Sequence, residues 1–135
     1  MWIDTQTGQE RQIRFFKRAQ ILVADLAGAL AGRSLGTFHD LASLTAFADY
    51  KVPQVLRQLG ILAYAPDLAD RIRRRQLIAA GSREEIEIRA ATVQGCERIR
   101  QALAERSEGD WLLWNAGQTL PKGSEPYHRT VTVFY

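Results

Sequence analysis

The spacing of apolar residues along the chain predicts a mostly α-helical fold. Between residues 11 and 31 they recur every three to four positions, which is typical of a helix with one apolar face, and Gly32 and Gly36 then interrupt the pattern. Pro53 suits the first turn of a later helix, and Gly60 suits its end.

Residue patterns in the rest of the chain predict four more helices and a short strand-like tail. A short helix is predicted from a cap at Asp40 to about Ala48. Further helices are predicted over residues 65–79, 82–106 and 111–114. The second of these opens with Ser82 and Glu85, an S-x-x-E capping box. The tail, Thr130–Tyr135, alternates like a short β-strand, which needs a partner for its backbone hydrogen bonds.

Length and composition indicate a single helical domain over residues 1–135, with 46% hydrophobic and 24% charged residues. The net charge of +3 permits an anionic ligand. The single cysteine excludes an internal disulfide, and no signal peptide is predicted. The most apolar segment, residues 19–31, is too short to span a bilayer. We therefore expect a cytoplasmic protein that does not engage a membrane.

One acidic residue stands out. The stretch FADYKVPQ at residues 47–54 places Asp49 just before the helix that Pro53 opens. An acid at a helix end is common and usually has no catalytic role. A carboxylate at a tight junction between two buried helices can also be a catalytic group. The residue pattern alone leaves both interpretations open.

Other charged residues are equally ambiguous. Arg18 and Asp25 share one stripe of the first helix, but seven positions correspond to about 10.5 Å along the axis, too far for direct pairing. The stripe is therefore either solvated surface or the lining of a pocket. The arginine run between Arg71 and Arg75 is typical of a solvated helix face. Its few phosphate contacts would give little affinity, so direct nucleic-acid binding is not expected.

The last candidates lie in the second half of the chain. Glu85 and Arg89 form a well-oriented i,i+4 pair, which leaves Glu87 on a different face. His128 and Arg129 could bind an anion such as a phosphate or could form a plain surface turn. The two histidines and the cysteine lack metal-ligand spacing, so no metal site is expected.

Several longer motifs resemble the queuosine salvage protein family. From about Phe15 onward they keep the family's order and spacing: FKRAQILVAD at residues 16–25, FADYKVPQVL at 47–56, EIEIRA at 85–90 and PYHRT at 126–130. The resemblance implies hydrolysis of the N-glycosidic bond of queuosine 5′-phosphate, without a cofactor, to release queuine for reuse in tRNA modification. It also implies a helical fold similar to helix-hairpin-helix DNA glycosylases.

The resemblance gives Asp49 a catalytic role. Breaking an N-ribosyl bond develops positive charge on the sugar, and a carboxylate can stabilise that charge or orient the attacking water. The other roles that it implies are substrate contacts: Phe47 and Tyr50 shape the pocket, Asp25 and Glu87 accept hydrogen bonds from the base, and Arg18, His128 and Arg129 bind the phosphate.

The sequence departs from the family in two ways. Asn115 follows Leu113–Trp114 where the family usually has aspartate, so this substrate-site position keeps its hydrogen bonding but loses a charge. The chain also resembles only about the C-terminal half of a full member. Two interpretations follow: a self-sufficient glycosylase, or a non-catalytic half that binds nucleotide or a partner. If another chain supplies the missing N-terminal half, we expect the strand-like tail and the two tryptophans near it to face that chain across an exposed apolar patch.

Overall fold

A computed structural model describes residues 2–3, 10–11, 13–30, 33–102 and 109–132, and this part of the chain is mostly helical. The helices are α1 (Lys17–Ala29), α2 (Lys51–Gln58), α3 (Pro66–Arg73), α4 (Arg83–Ala102) and α5 (Gly109–Gln118). Two short strands, β1 (Trp2–Ile3) and β2 (Glu10–Arg11), pair antiparallel ahead of α1. The mostly α-helical prediction is confirmed, whereas the likeness to helix-hairpin-helix glycosylases stays a prediction.

The core is built around α2, which packs against both α4 and α5. A first cluster joins Val52 and Leu56 of α2 to Ala46 and to Cys96 of α4. A second cluster joins three isoleucines from different segments: Ile72, Ile78 and Ile88. Because α4 contributes to both clusters, this 20-residue helix connects the two parts of the core.

The local start and stop signals of the helices are confirmed. Pro53 lies in the first turn of α2, and Gly60 follows the helix with a positive φ of 71°, a conformation that glycine adopts without strain. At the start of α4, the Ser82 hydroxyl accepts a hydrogen bond from the Glu85 N–H (3.3 Å). The Glu85 carboxylate in turn accepts one from the Gly81 N–H (3.2 Å), so the capping box forms with a shift of one residue.

The helix predicted between Asp40 and Ala48 was wrong. A single 3₁₀ turn, Leu41–Ser43, follows Asp40, whose side chain makes no cap, and Leu44 then turns to extended backbone. Extended backbone carries this segment along the core, which buries Ala46 and Ala48. Residues 44–49 therefore lead to α2 as an extended segment, which we call the strap, and not as a helix.

Other helix boundaries also differ from the predictions. Helix α1 begins at Lys17 and not near residue 11, because β2 occupies that position. Helix α3 ends at Arg73, since Arg75 adopts a positive φ of 55° that ends the helical path well before Ala79. Helix α5 is longer than predicted, and the end predicted for α4 near residue 106 lies outside the described residues.

The segment that leads into the tail forms a backbone contact with the loop after α3. The Ile78 N–H donates a hydrogen bond to the Arg129 carbonyl oxygen (2.7 Å), and Leu77 and Arg129 form an isolated parallel bridge. Residues 130–132 are not in a strand, and residues 133–135 lie outside the described part. In the helices that are described, no segment is long and apolar enough to cross a membrane.

Candidate functional site

Asp49 lies at the start of α2 and is buried, with 3% of its surface exposed. Its Oδ1 atom accepts hydrogen bonds from the N–H groups of Lys51 (2.8 Å) and Val52 (2.9 Å), which satisfies two donors of the first helical turn. Both bonds use the same oxygen, and Oδ2 accepts none from the described part of the chain. The carboxylate is therefore held in a fixed orientation while one oxygen stays available.

A lysine and an arginine provide positive charge near this carboxylate. Burial lowers the pKa of Lys17, the first residue of α1, while attraction to Asp49 raises that pKa and repulsion from Arg89 lowers it. These charges act on one another across three separate segments of the chain. Asp49 and Arg89 are buried and Lys17 is half-buried, so the three form a charge cluster in which the Asp49 carboxylate attracts Lys17.

Arg89 is fixed from three sides. Its Nε–H donates to the Ala48 carbonyl oxygen (3.1 Å), next to Asp49, and its Nη1 pairs with Glu85 at 3.2 Å. Its guanidinium also lies 4.2 Å from the centre of the Phe15 ring, a cation–π contact. Since Glu85 and Arg89 are both buried, the pair predicted from their spacing is an interior contact rather than a surface one.

His128 is buried close to the same pair, with 1% of its surface exposed. Burial lowers the pKa of His128 to about 4; the Glu85 carboxylate raises it and the Arg89 guanidinium lowers it. The imidazole is therefore neutral at pH 7. It can donate or accept a hydrogen bond there, but it does not bring the positive charge expected of a phosphate ligand.

A groove of about 210 Å³ opens beside this cluster. It is lined by residues from α2's start, from the segment after α3 and from the tail: Tyr50, Leu77, Tyr127, His128, Arg129, Thr130 and Val131. The rings of Tyr50 and Tyr127 are tilted by 44° with their centres 4.8 Å apart. Lys51 Nζ lies 5.4 Å from the centre of the Tyr127 ring. Two aromatic faces, a neutral histidine and an exposed arginine thus share one surface depression.

The structure brings together only some of the predicted site residues. Tyr50, His128 and Arg129 line the groove, and Asp49 precedes Tyr50 in the chain. Phe47 is half-buried in the strap that leads to Asp49.

The remaining candidates lie elsewhere. Arg18 and Asp25 are exposed on α1, and Asn115 is exposed on α5. Glu87 is exposed and pairs with Arg83 at 2.6 Å. No contact in the described residues joins Asp25, Glu87 or Asn115 to Asp49, and their roles stay predictions.

Lys17 is the residue that sequence reasoning missed. It lies inside the FKRAQILVAD motif, one position before Arg18, which received the attention instead. The helical spacing offered a signal, because Lys17 shares a face with Ile21 and Ala24, whereas Arg18 does not. A half-buried cation on an inward face interacts with nearby charges, and Asp49 is the acid that attracts it.

In the described ranges, no group of three or more histidine, cysteine or acidic side chains is placed so that it could hold a metal ion. The charged side chains near Asp49 are Lys17 and Arg89, and Arg89 is paired with Glu85. The cations suit an anionic ligand, whereas a developing positive charge would be stabilised by the Asp49 carboxylate.

Comparison with known proteins identifies the family of this chain. The family model described as queuosine salvage protein matches residues 1–135. A relative from Sphaerobacter thermophilus is 61% identical, one from Dictyostelium discoideum 43% and one from Bos taurus 35%, and each is named queuosine 5′-phosphate N-glycosylase/hydrolase. Each match covers 98% of this chain but 43% of the relative, so the chain spans less than half the length of these proteins. The chain belongs to the queuosine salvage protein family.

Proposed function

We propose that this chain supplies the catalytic carboxylate for hydrolysis of the N-glycosidic bond of queuosine 5′-phosphate. The observation that carries the proposal is the buried Asp49, whose Oδ1 is fixed by two backbone N–H groups while Oδ2 accepts no hydrogen bond from the described residues. The names of the relatives support the reaction and the substrate.

The chemistry explains why a fixed carboxylate suits this bond. As the bond between C1′ and the base nitrogen breaks, its electron pair leaves with the base and positive charge develops on the ribose. Asp49 stabilises that charge or orients the water whose oxygen bonds to C1′. Water also provides the proton that ends on the base nitrogen. The products are queuine and ribose 5-phosphate.

The base itself makes a strong carboxylate more important. In a 7-deazaguanine, carbon replaces N7, so the enzyme cannot help the base to leave by protonating that position. More of the barrier must then be lowered on the sugar side. One well-placed electrostatic group accounts for about 3–4 kcal/mol of such stabilisation, or ~10²–10³ in rate.

The surrounding residues fit an anionic nucleotide. Lys17 provides positive charge near Asp49, and Arg129 provides it at the groove. His128 contributes a neutral hydrogen-bonding group, and Tyr50 offers an aromatic face to the base or the ribose. In this proposal Phe47 shapes the wall behind Asp49. The exposed Arg18, Asp25, Glu87 and Asn115 belong to the site only if further polypeptide encloses them.

The test is release of queuine from queuosine 5′-phosphate by the purified chain, followed by chromatography. The informative variant is Asp49→Asn, because asparagine caps helices as well as aspartate does and removes only the charge. We expect a rate loss of at least ~10²-fold. The matched control is Asp40→Asn, an exposed acid whose side chain makes no cap, which should keep the wild-type rate.

If the isolated chain releases no queuine, the same two variants are compared in a chimera. There, this chain replaces its 61% identical counterpart in the Sphaerobacter thermophilus relative. Full activity of the Asp49→Asn chimera would refute the role of Asp49.

A second candidate function is non-catalytic. The chain spans 43% of its relatives, and this favours a half that binds nucleotide or a partner without turnover. Calorimetric titration distinguishes the two functions: binding of queuosine 5′-phosphate without release of queuine supports the second, and release by the isolated chain excludes it.

A further inference from the structure

The outward side of α1 carries a row of apolar residues beside the exposed Arg18 and Asp25, whereas an ordinary surface helix turns its apolar stripe toward the core. Ala19, Leu22, Leu26 and Leu30 recur at spacings of three or four residues, and all four are exposed. The exposed fractions are 59% for Leu22 and 39% for Leu26. None of the 13 residues of α1 is buried.

Helix α1 is attached to the rest of the fold through its other face, so the outward orientation of its leucines is fixed. The opposite face, with Lys17, Ile21 and Ala24, is half-buried against the fold. Gln20 on that face accepts a hydrogen bond from the Thr45 N–H at its Oε1 atom (2.7 Å). The helix is therefore fixed with its leucines facing away from the core.

The apolar surface continues past the end of the helix. Gly36 packs so tightly against α1 that an added Cβ would lie 2.5 Å from the Cβ of Leu30. Its neighbour Leu35 is 81% exposed. We call the surface formed by Leu22, Leu26, Leu30 and Leu35 the α1 leucine face.

Single exposed leucines are normal on protein surfaces, but a contiguous row on a fixed helix marks an interface. The occupant follows from length. More than half of each curated relative lies outside the match to this chain, and that polypeptide must pack against the part that this chain represents. We propose that the α1 leucine face is the docking surface for the part of the family's polypeptide that these 135 residues do not cover.

This occupant is favoured over a second copy of the chain. In the relatives the two parts are covalently joined, so they meet at the high effective concentration that a linker provides, whereas two copies have no such advantage. The face also lies on the helix that carries Lys17, so the docked polypeptide would stabilise the orientation of a residue next to Asp49.

Thiol accessibility tests the proposal. Leu22→Cys and Leu59→Cys are matched variants, because the two leucines are 59% and 60% exposed and Leu59 lies at the end of a different helix, α2. The native Cys96 is buried and gives a low background of labelling. Each variant is labelled with a maleimide in the isolated chain and in the chimera with the Sphaerobacter thermophilus relative.

We expect Leu22→Cys to label at least ~10-fold more slowly in the chimera than in the isolated chain, and Leu59→Cys to label at similar rates in both. Equal labelling of Leu22→Cys in both proteins would overturn the proposal. So would sedimentation of the isolated chain as a dimer that Leu22→Glu with Leu26→Glu converts to monomers, because the occupant would then be a second copy.

Association in trans gives an independent measurement. The unmatched segment of the Sphaerobacter thermophilus relative is co-expressed with the tagged chain and purified through the tag. Leu22→Glu with Leu26→Glu should weaken the complex at least ~30-fold, whereas Leu59→Glu should not. A complex that tolerates the double variant would contradict the proposal. Circular dichroism melting of both variants checks that the isolated chain stays folded.

Discussion

Helices α1 and α2 differ in how much of their surface the fold buries. In α2, four of eight residues are buried, and Leu56 is completely inaccessible to solvent. In α1, thirteen residues include none that is buried, and leucines face outward. Helix α2 packs against both α4 and α5, whereas α1 packs mainly against the short 3₁₀ turn that follows it.

The difference shows which part of the chain is complete in itself. The region around α2 and α4 has its partners within these residues and forms a closed core. The region around α1 is attached through one half-buried side, and the leucines on its other side stay exposed. The candidate catalytic site lies where the two regions meet, since Asp49 lies two residues before α2 and Lys17 is the first residue of α1.

The largest expected effect contrasts a leucine from each helix. Leu56→Ala should lower the free energy of unfolding by about 3–5 kcal/mol, because it leaves a cavity in the closed core. Leu22→Ala should change it by less than ~0.5 kcal/mol, because Leu22 is exposed. Urea unfolding of the isolated chain measures both values. Similar losses in the two variants would mean that α1 is as well packed as α2.

The next effect concerns pH. Because burial lowers the pKa of His128 from 6.5 to about 4, the unfolded chain binds a proton between these values that the folded chain does not. Stability should therefore be fully present above pH 6.5 and fall as the pH drops toward 4, by on the order of 3 kcal/mol in total. Glu85 and Arg89 act on this imidazole with opposite signs, so the net direction is set by burial.

Denaturant unfolding of His128→Gln across pH 4 to 6.5 should give a flatter profile than the wild type. The control is His39→Gln, which alters the exposed histidine and should keep the wild-type slope. An unchanged slope in His128→Gln would show that the imidazole is protonated in the folded chain.

A smaller effect separates the two roles of Asp49. Asp49→Ala removes the cap of α2 and should lower stability by about 1 kcal/mol. Asp49→Asn should leave stability within ~0.5 kcal/mol of the wild type, because asparagine is an equally good cap. Thermal melts of the two variants provide the comparison, and equal melting temperatures for alanine and asparagine would refute the capping role.

The smallest effect is local to α1. Gln20→Ala removes the hydrogen bonds to Thr45 and to the Phe15 carbonyl oxygen that fix the inner side of the helix. We expect a loss of protection of about 1 kcal/mol in the α1 amides, with α4 amides unchanged. Hydrogen exchange resolves the two helices. Equal losses in both would indicate that α1 is part of the closed core.

The sequence predicted the features that depend on neighbouring residues. Pro53, Gly60 and the Ser82–Glu85 capping box act within one turn, so their positions were read correctly. The helix predicted before Ala48 failed because that segment packs against distant parts of the core, and this contact overrides local preference. Arg75 likewise ends α3 with a backbone conformation that arginine seldom adopts.

The candidate site shows the same limit. Asp49 stood out as a candidate from its own segment. Its electrostatic attraction to Lys17 depends on where the fold places α1, which the spacing of residues does not specify. The Glu85–Arg89 pair was predicted from i,i+4 spacing, but its burial and the contact with Phe15 were not. The neutral state of His128 follows from burial alone and has no counterpart in the sequence pattern.

The double use of the Asp49 carboxylate has a consequence for inheritance. Aspartate and asparagine codons differ by a single base, and the resulting protein would keep its helix cap while losing the charge that the proposed chemistry requires. Such a protein would escape the chaperones and proteases that remove misfolded chains. It would accumulate at normal levels and would keep the α1 leucine face that we propose as a docking surface, so it would compete with the active protein for that contact.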